Sequence, residues 1–227
     1  MNNLYLCTHY GFGDYVMCYG LVKELSKKYD NVVLFGIPYL SKLHIDNIKR
    51  LYSSIKNVQI NIGNPKDYED VLYIGWDKYF KAIEKDPTIQ CQKFFYDQAG
   101  VSLNLLWDNF YFKRNMNKEK EIFYNRLRLN DNDEYVFLHD DPSRNIIIDR
   151  KYIPDIRIIY LIEYPDISIL DVLYVIEKAK EVHMSNTGLV SFVDQMGIKH
   201  DNLNYHKYTR SMAFEQPILR LNWKIIE

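Results

Sequence analysis

The strongest constraint on the fold of this chain is a series of short apolar runs separated by amphipathic stretches. Leu4-Tyr-Leu-Cys-Thr8 leads into the glycine-rich turn His9-Tyr-Gly11-Phe-Gly13-Asp14. Over 15–28, Val16, Tyr19, Gly20, Leu21 and Leu25 trace one helical face, and Lys23, Glu24, Lys27 and Lys28 the other. Val32-Val-Leu-Phe35 is then continuously apolar, which suits a parallel strand covered on both faces. A helix over 39–54 and strands over 57–62 and 70–75 complete a β-α-β-α-β order. That order opens a doubly wound α/β domain.

Further on, residues 76–112 are rich in aromatic side chains. Within them 88–99 reads as a helix stopped by Gly100. Trp107-Asp-Asn-Phe-Tyr-Phe112 suits a strand or an extended crossing segment, and 117–129 an amphipathic helix. The polar turn Asn130-Asp-Asn-Asp133 is the expected domain boundary, giving lobes 1–130 and 131–227. A second α/β unit starts with a strand over 134–139, with short strands at 145–149 and 157–161 and a helix over 169–178. Next come a buried strand, a polar turn and a helix within 181–196, then a short segment at 202–205. A tail, 216–227, carries Trp223 and can pack on either half. The expected fold class is α/β, with two small Rossmann-like lobes facing a cleft.

Charge and cysteine usage exclude several functions. The 227 residues hold 29 basic and 30 acidic side chains, a formal net charge of −1, so binding of nucleic acid by bulk charge is not expected. No apolar run approaches the ~20 residues of a membrane span, and the N-terminus lacks a signal-peptide pattern. Cys7, Cys18 and Cys91 form an odd set without metal spacing, as in reduced thiols of a cytoplasmic protein. Oligomeric state is not legible.

Chemistry concentrates at strand ends. In Ser185-Asn186-Thr187-Gly188-Leu189, a small polar residue can cap the helix that follows, and Gly188 admits a ligand close to the backbone. Helix N–H groups and the dipole then favour a phosphate or diphosphate; an ordinary capped helix is the plainer reading. Gly11 and Gly13 allow a tight turn, but no third glycine and no acid after the second strand supports NAD binding. Asp14 is either a helix-capping acid or a general base at the sheet's carboxyl edge. His139-Asp140-Asp141-Pro142-Ser143-Arg144 lies at another strand end. Asp140 and Asp141 suit a divalent metal or a turn; Arg144 suits a phosphate or a surface ion pair. His206, Lys207, Tyr208 and Arg210 form a loop dense in donors. Asp131-Asn-Asp133 follows a helix rather than a strand and reads as linker.

Gly11-Phe-Gly13-Asp14 after the first strand, and Ser185-Asn-Thr-Gly188-Leu-Val-Ser-Phe192 after a late one, resemble GT-B glycosyltransferases, most nearly the heptosyltransferase-like group. The resemblance implies transfer of a sugar from a nucleotide-diphosphate sugar to a hydroxyl acceptor such as a glycan, with inversion and without a metal or other cofactor. It makes Asp14 the base and the backbone at 187–189 the diphosphate cradle. His139, Arg144, Ser185, Asn186, His206, Tyr208 and Arg210, with Gly11 and Gly13, are then expected around the donor and its phosphates. Asn186 stands where that group often has aspartate, the chain is short for a GT-B enzyme, and 76–130 carries no matching motif. The alternatives are a metal-dependent GT-A enzyme using Asp140 and Asp141, a nucleotide-sugar epimerase, and a non-catalytic nucleotide- or glycan-binding protein.

Overall fold

The computed structural model describes residues 2–9, 11–36, 41–210 and 216–227. Two compact units are present: Met1–Phe112 with Met212–Ile218, and Lys113–Ser211 with Leu219–Glu227. Each is an α/β unit built on an all-parallel sheet, the class expected from the apolar runs. No helix among the described residues is long and apolar enough to cross a membrane.

In the first unit the order is β1 (Asn3–Cys7), α1 (Phe12–Ser26), β2 (Asn31–Phe35), α2 (Lys42–Tyr52), β3 (Val58–Asn61) and β4 (Leu72–Tyr73). The strands lie in the order β3-β2-β1-β4. Three helices follow: α3 (Trp76–Lys85), α4 (Cys91–Ala99) and α5 (Leu105–Asp108). Leu6, Val32 and Leu34 are fully buried, as central parallel strands require. Helix α1 begins three residues earlier than its apolar periodicity suggests, because Gly11 caps it. It is also buried on more than one face, by residues with no recognisable motif. Tyr96 donates its hydroxyl to Met17 O at 3.1 Å, and Asn109 donates from Nδ2 to Gly20 O at 3.3 Å. A Cβ on Gly20 would lie 1.9 Å from Leu105 O, so the 105–109 turn packs directly on the α1 backbone. The expected strand or extended crossing at 107–112 is therefore a helical turn that runs on without joining a sheet.

Tyr15 and Tyr52 are core residues with satisfied hydroxyls. Tyr15 donates to Phe35 O at 2.9 Å and Tyr52 to Tyr15 O at 2.7 Å. A buried phenol without such a partner would lose about 1–3 kcal/mol.

The second unit contains α6 (Met116–Glu121), which runs on as a wider turn over Ile122–Arg126. Then come β5 (Tyr135–His139), β6 (Arg157–Tyr160), α7 (Leu173–Lys178), β7 (Glu181–Met184), α8 (Gly188–Met196), β8 (Leu203–His206) and β9 (Lys224–Ile226). The strands lie in the order β6-β5-β7-β8-β9. The division between units falls at Phe112/Lys113 rather than at the 130–131 turn. Arg114 explains this, because its guanidinium reaches Glu119 Oε2 at 2.6 Å on α6 and Glu177 Oε1 at 2.5 Å on α7. Glu119 is fully buried and also accepts from Tyr174 N at 2.9 Å. Helix α6 is thus bound to the second unit before the polar turn is reached.

No strand forms at 145–149. A single antiparallel bridge joins Asp141 to Ile146, and the Asp140 carboxylate accepts Ile148 N at 2.9 Å, which curls the segment back on itself. The tail contributes to both units. Ile218 N donates to Gln92 Oε1 at 2.6 Å in the first. In the second, buried Asp194 on α8 accepts Arg220 N at 2.9 Å, Leu221 N at 2.9 Å and Trp223 Nε1 at 3.0 Å, and this leads the chain into β9.

Candidate functional site

In an open parallel sheet, ligands gather at the carboxyl ends of strands where the winding reverses. In the second unit that point lies between β5 and β7. The register pairs His139 with Met184, so His139 and the Ser185–Leu189 turn come together at one edge. Thr187 is the residue before α8, yet its hydroxyl does not cap the helix. Instead Thr187 Oγ1 lies 2.9 Å from His139 Nδ1. The first N–H groups of a helix have no acceptor one turn back, and at α8 the Thr187 side chain does not cap them. Ser185 is fully buried, and its Oγ has no hydrogen-bond partner among the described residues. An uncapped helix start beside an unsatisfied buried hydroxyl is a suitable receptor for an anionic oxygen.

Burial pulls the His139 imidazole down to about 4, with Asp140 and Asp141 opposing, so it is neutral at pH 7. His206 ends the neighbouring strand β8. It is fully buried, and burial, assisted by His183, pulls it down to about 4 as well. A neutral imidazole cannot offset phosphate charge; this ring serves as a hydrogen-bonding group instead. Its Nε2 lies 2.9 Å from His183 Nδ1, and His183 Nε2 lies 3.0 Å from Glu181 Oε2. Glu181 and His183 are two apart on β7 and so share one face. That spacing was the sequence signal for this chain of groups.

The remaining candidates occupy more local roles. Arg144 pairs through Nε with Asp141 Oδ2 at 2.5 Å and is half exposed, the surface ion pair that its position allowed. Asp140 is buried and accepts Tyr160 OH at 2.6 Å in addition to Ile148 N. Among the described residues no group of three or more His, Cys, Asp or Glu side chains gathers as a metal site. Tyr208 accepts Asp149 N at 2.7 Å, and Arg210 closes the short turn Lys207–Thr209 by donating its N–H to Lys207 O at 3.1 Å. Asn186 and Gly188 are partly exposed in the turn before α8, and Leu189 is buried.

In the first unit the winding reverses between β1 and β4. Asp14 Oδ2 accepts Gly11 N at 2.5 Å, so the carboxylate caps α1. A Cβ on Gly11 would sit 3.2 Å from that oxygen, which makes glycine the fitting residue there. Gly13 is the second residue of the helix. The crevice itself holds residues that the motifs did not indicate. Trp76 donates its N–H to His9 Nδ1 at 3.0 Å and its indole N–H to Thr8 O at 3.0 Å. Gly75 (φ 86°) and Trp76 (φ 53°) take left-handed backbone to make that corner. The only signal for it in the sequence was a glycine beside a tryptophan at a strand end.

No family model matches the chain, and no curated protein matches it. Among solved structures, the glycosyl transferase family 9 protein from Veillonella parvula DSM 2008 is similar at a TM-score of 0.48 and 8% sequence identity. The alignment covers 90% of this chain and 79% of that chain.

Proposed function

We propose that the protein transfers a sugar from a nucleotide-diphosphate sugar to a hydroxyl acceptor, with inversion. The observation that carries this reading is the uncapped start of α8 beside the unpartnered, buried Ser185 Oγ. The diphosphate lies on the N–H groups around Thr187–Leu189, with Ser185 donating to it. The acceptor oxygen attacks the anomeric carbon, and the bond from that carbon to the diphosphate oxygen breaks. The nucleoside diphosphate leaves with the electron pair, and Asp14 takes the acceptor's proton. Fixed N–H dipoles stabilise the charge that grows on the leaving phosphate, so the step proceeds without a metal. Arg144 reaches the phosphates by leaving Asp141. The three free thiols, Cys7, Cys18 and Cys91, fit a reducing cytoplasmic setting.

The capping bond from Gly11 N to Asp14 favours a second reading, a binding protein without transfer. The test is a thermal-shift screen of nucleotide diphosphates, nucleotide sugars and pyrophosphate, with and without manganese, followed by donor-hydrolysis and transfer assays on the hits. Stabilisation by diphosphates in the absence of metal is expected, since ligands that bind the native state raise its melting temperature. Stabilisation without transfer or hydrolysis would favour the binding protein, and no stabilisation would refute the phosphate cradle.

A further inference from the structure

His206 Nδ1 is buried and has no hydrogen-bond partner among the described residues. Its chemical state follows from the groups behind it. The Glu181 carboxylate, 3.0 Å from His183 Nε2, only accepts and outweighs the longer 3.4 Å contact from Asn204 Nδ2, so His183 places its proton on Nε2. His183 Nδ1 is then an acceptor, and His206 must donate to it from Nε2. That leaves His206 Nδ1 as a lone pair, fixed by a relay that begins at the partly exposed Glu181. The relay therefore offers a hydrogen-bond acceptor that no described residue satisfies. A buried acceptor left empty costs about 1–3 kcal/mol, so a donor that reaches it is favoured.

Position indicates which donor. Met184 pairs with Tyr205, so Ser185 and His206 occupy the next places on adjacent strands. Adjacent strands lie about 4.8 Å apart. One strand spacing from a bound diphosphate suits the ribose hydroxyls of the same nucleotide and falls short of its base. Tyr152 and Tyr208, both half exposed, pack their rings against His206 with centroids 5.7 and 5.6 Å away. Because His206 is fully buried, a ribose reaches it only if a neighbouring ring is displaced.

We propose that His206 Nδ1, held as an acceptor by the Glu181–His183–His206 relay, receives a ribose hydroxyl of the nucleotide and selects ribonucleotides. This rests on the diphosphate lying on the Ser185–Leu189 cradle.

The test titrates the intact chain with ribonucleoside diphosphates of the common bases, their 2′,3′-dideoxy counterparts and pyrophosphate. It compares the wild type with His206→Phe and His206→Asn. The wild type is expected to prefer the ribo form about five- to tenfold, the range of one such hydrogen bond. His206→Phe should lose the preference and keep pyrophosphate affinity, and His206→Asn, which retains an acceptor near the Nδ1 position, should restore part of it. Imidazole nitrogen NMR at neutral pH should show His206 protonated on Nε2; protonation on Nδ1 would overturn the proposal even if His206→Phe fails to fold. Pyrophosphate binding with no ribo preference, or a preference that persists in His206→Phe, would overturn the proposal alone. No binding by any of the three probes would overturn the phosphate cradle and this proposal together.

Discussion

Thr187 Oγ1 and His139 Nδ1 lie 2.9 Å apart, joining the ends of β7 and β5 across the reversal of the second sheet. The contact diverts the hydroxyl that would otherwise cap α8. Thr187→Val leaves His139 Nδ1 without its partner and should cost about 1–3 kcal/mol in urea unfolding. Thr187→Ser should stay within about 1 kcal/mol of the wild type. Equal stability of the valine and serine variants would show that the contact contributes nothing.

Ser185 gives an opposed pair of effects. Its buried hydroxyl is unpartnered, so Ser185→Ala should leave stability unchanged or raise it by up to about 1 kcal/mol. The same substitution should weaken diphosphate binding, read by calorimetry. A variant that is destabilised yet binds normally would remove Ser185 from the cradle.

At Asp14 structure and chemistry can be separated. Asparagine retains an oxygen that can accept Gly11 N, so Asp14→Asn should stay within about 1 kcal/mol of the wild-type stability. It should abolish transfer while leaving donor affinity intact. Full transfer activity in the purified variant would exclude the carboxylate as the base.

Acid should destabilise the second unit over a defined window. His139 and His206 are both held at about 4 in the fold, against an ordinary 6.5. Between those values the unfolded chain binds more protons than the native one. Stability is therefore complete above pH ~6.5 and falls toward pH 4, by about 1.4 kcal/mol per pH unit for each histidine. Urea midpoints at pH 7.5, 6 and 5 measure this, and a flat profile would show that neither ring is held neutral by burial.

Asp194 holds the tail through three donors. Asp194→Ala leaves those groups without their acceptor and should cost about 3 kcal/mol or more. Faster amide exchange should appear first in β9. Exchange rates unchanged in β9 would mean that the strand is held by its ladder to β8 alone.

Much of the fold was legible because central parallel strands must be apolar throughout. Val32–Phe35 and 134–139 reveal themselves in that way. The 145–149 segment looked similar but is not a strand, since its ordering comes from one carboxylate, Asp140, reaching Ile148 N. Periodicity has no access to such a contact. The division at Phe112/Lys113 was hidden for a related reason, because Arg114 reaches Glu177 across 63 residues. At the site, the elements carrying Ser185 and Thr187 could be placed from small polar residues before a helix. The hidden part was the relay, since Glu181 and His183 read as an ordinary strand until His206 on the neighbouring strand completes it.

The all-parallel ladders have a consequence for how the chain acquires its structure. Parallel neighbours need a long crossover, so neither sheet holds a hairpin that could form quickly by itself. Each strand pairing must first close a loop that spans a helix or an irregular segment, which is the pattern of slow, high-contact-order folding. The connections from β5 to β6 and from β8 to β9 are the shortest loops available, and they set the earliest point at which a pairing can hold.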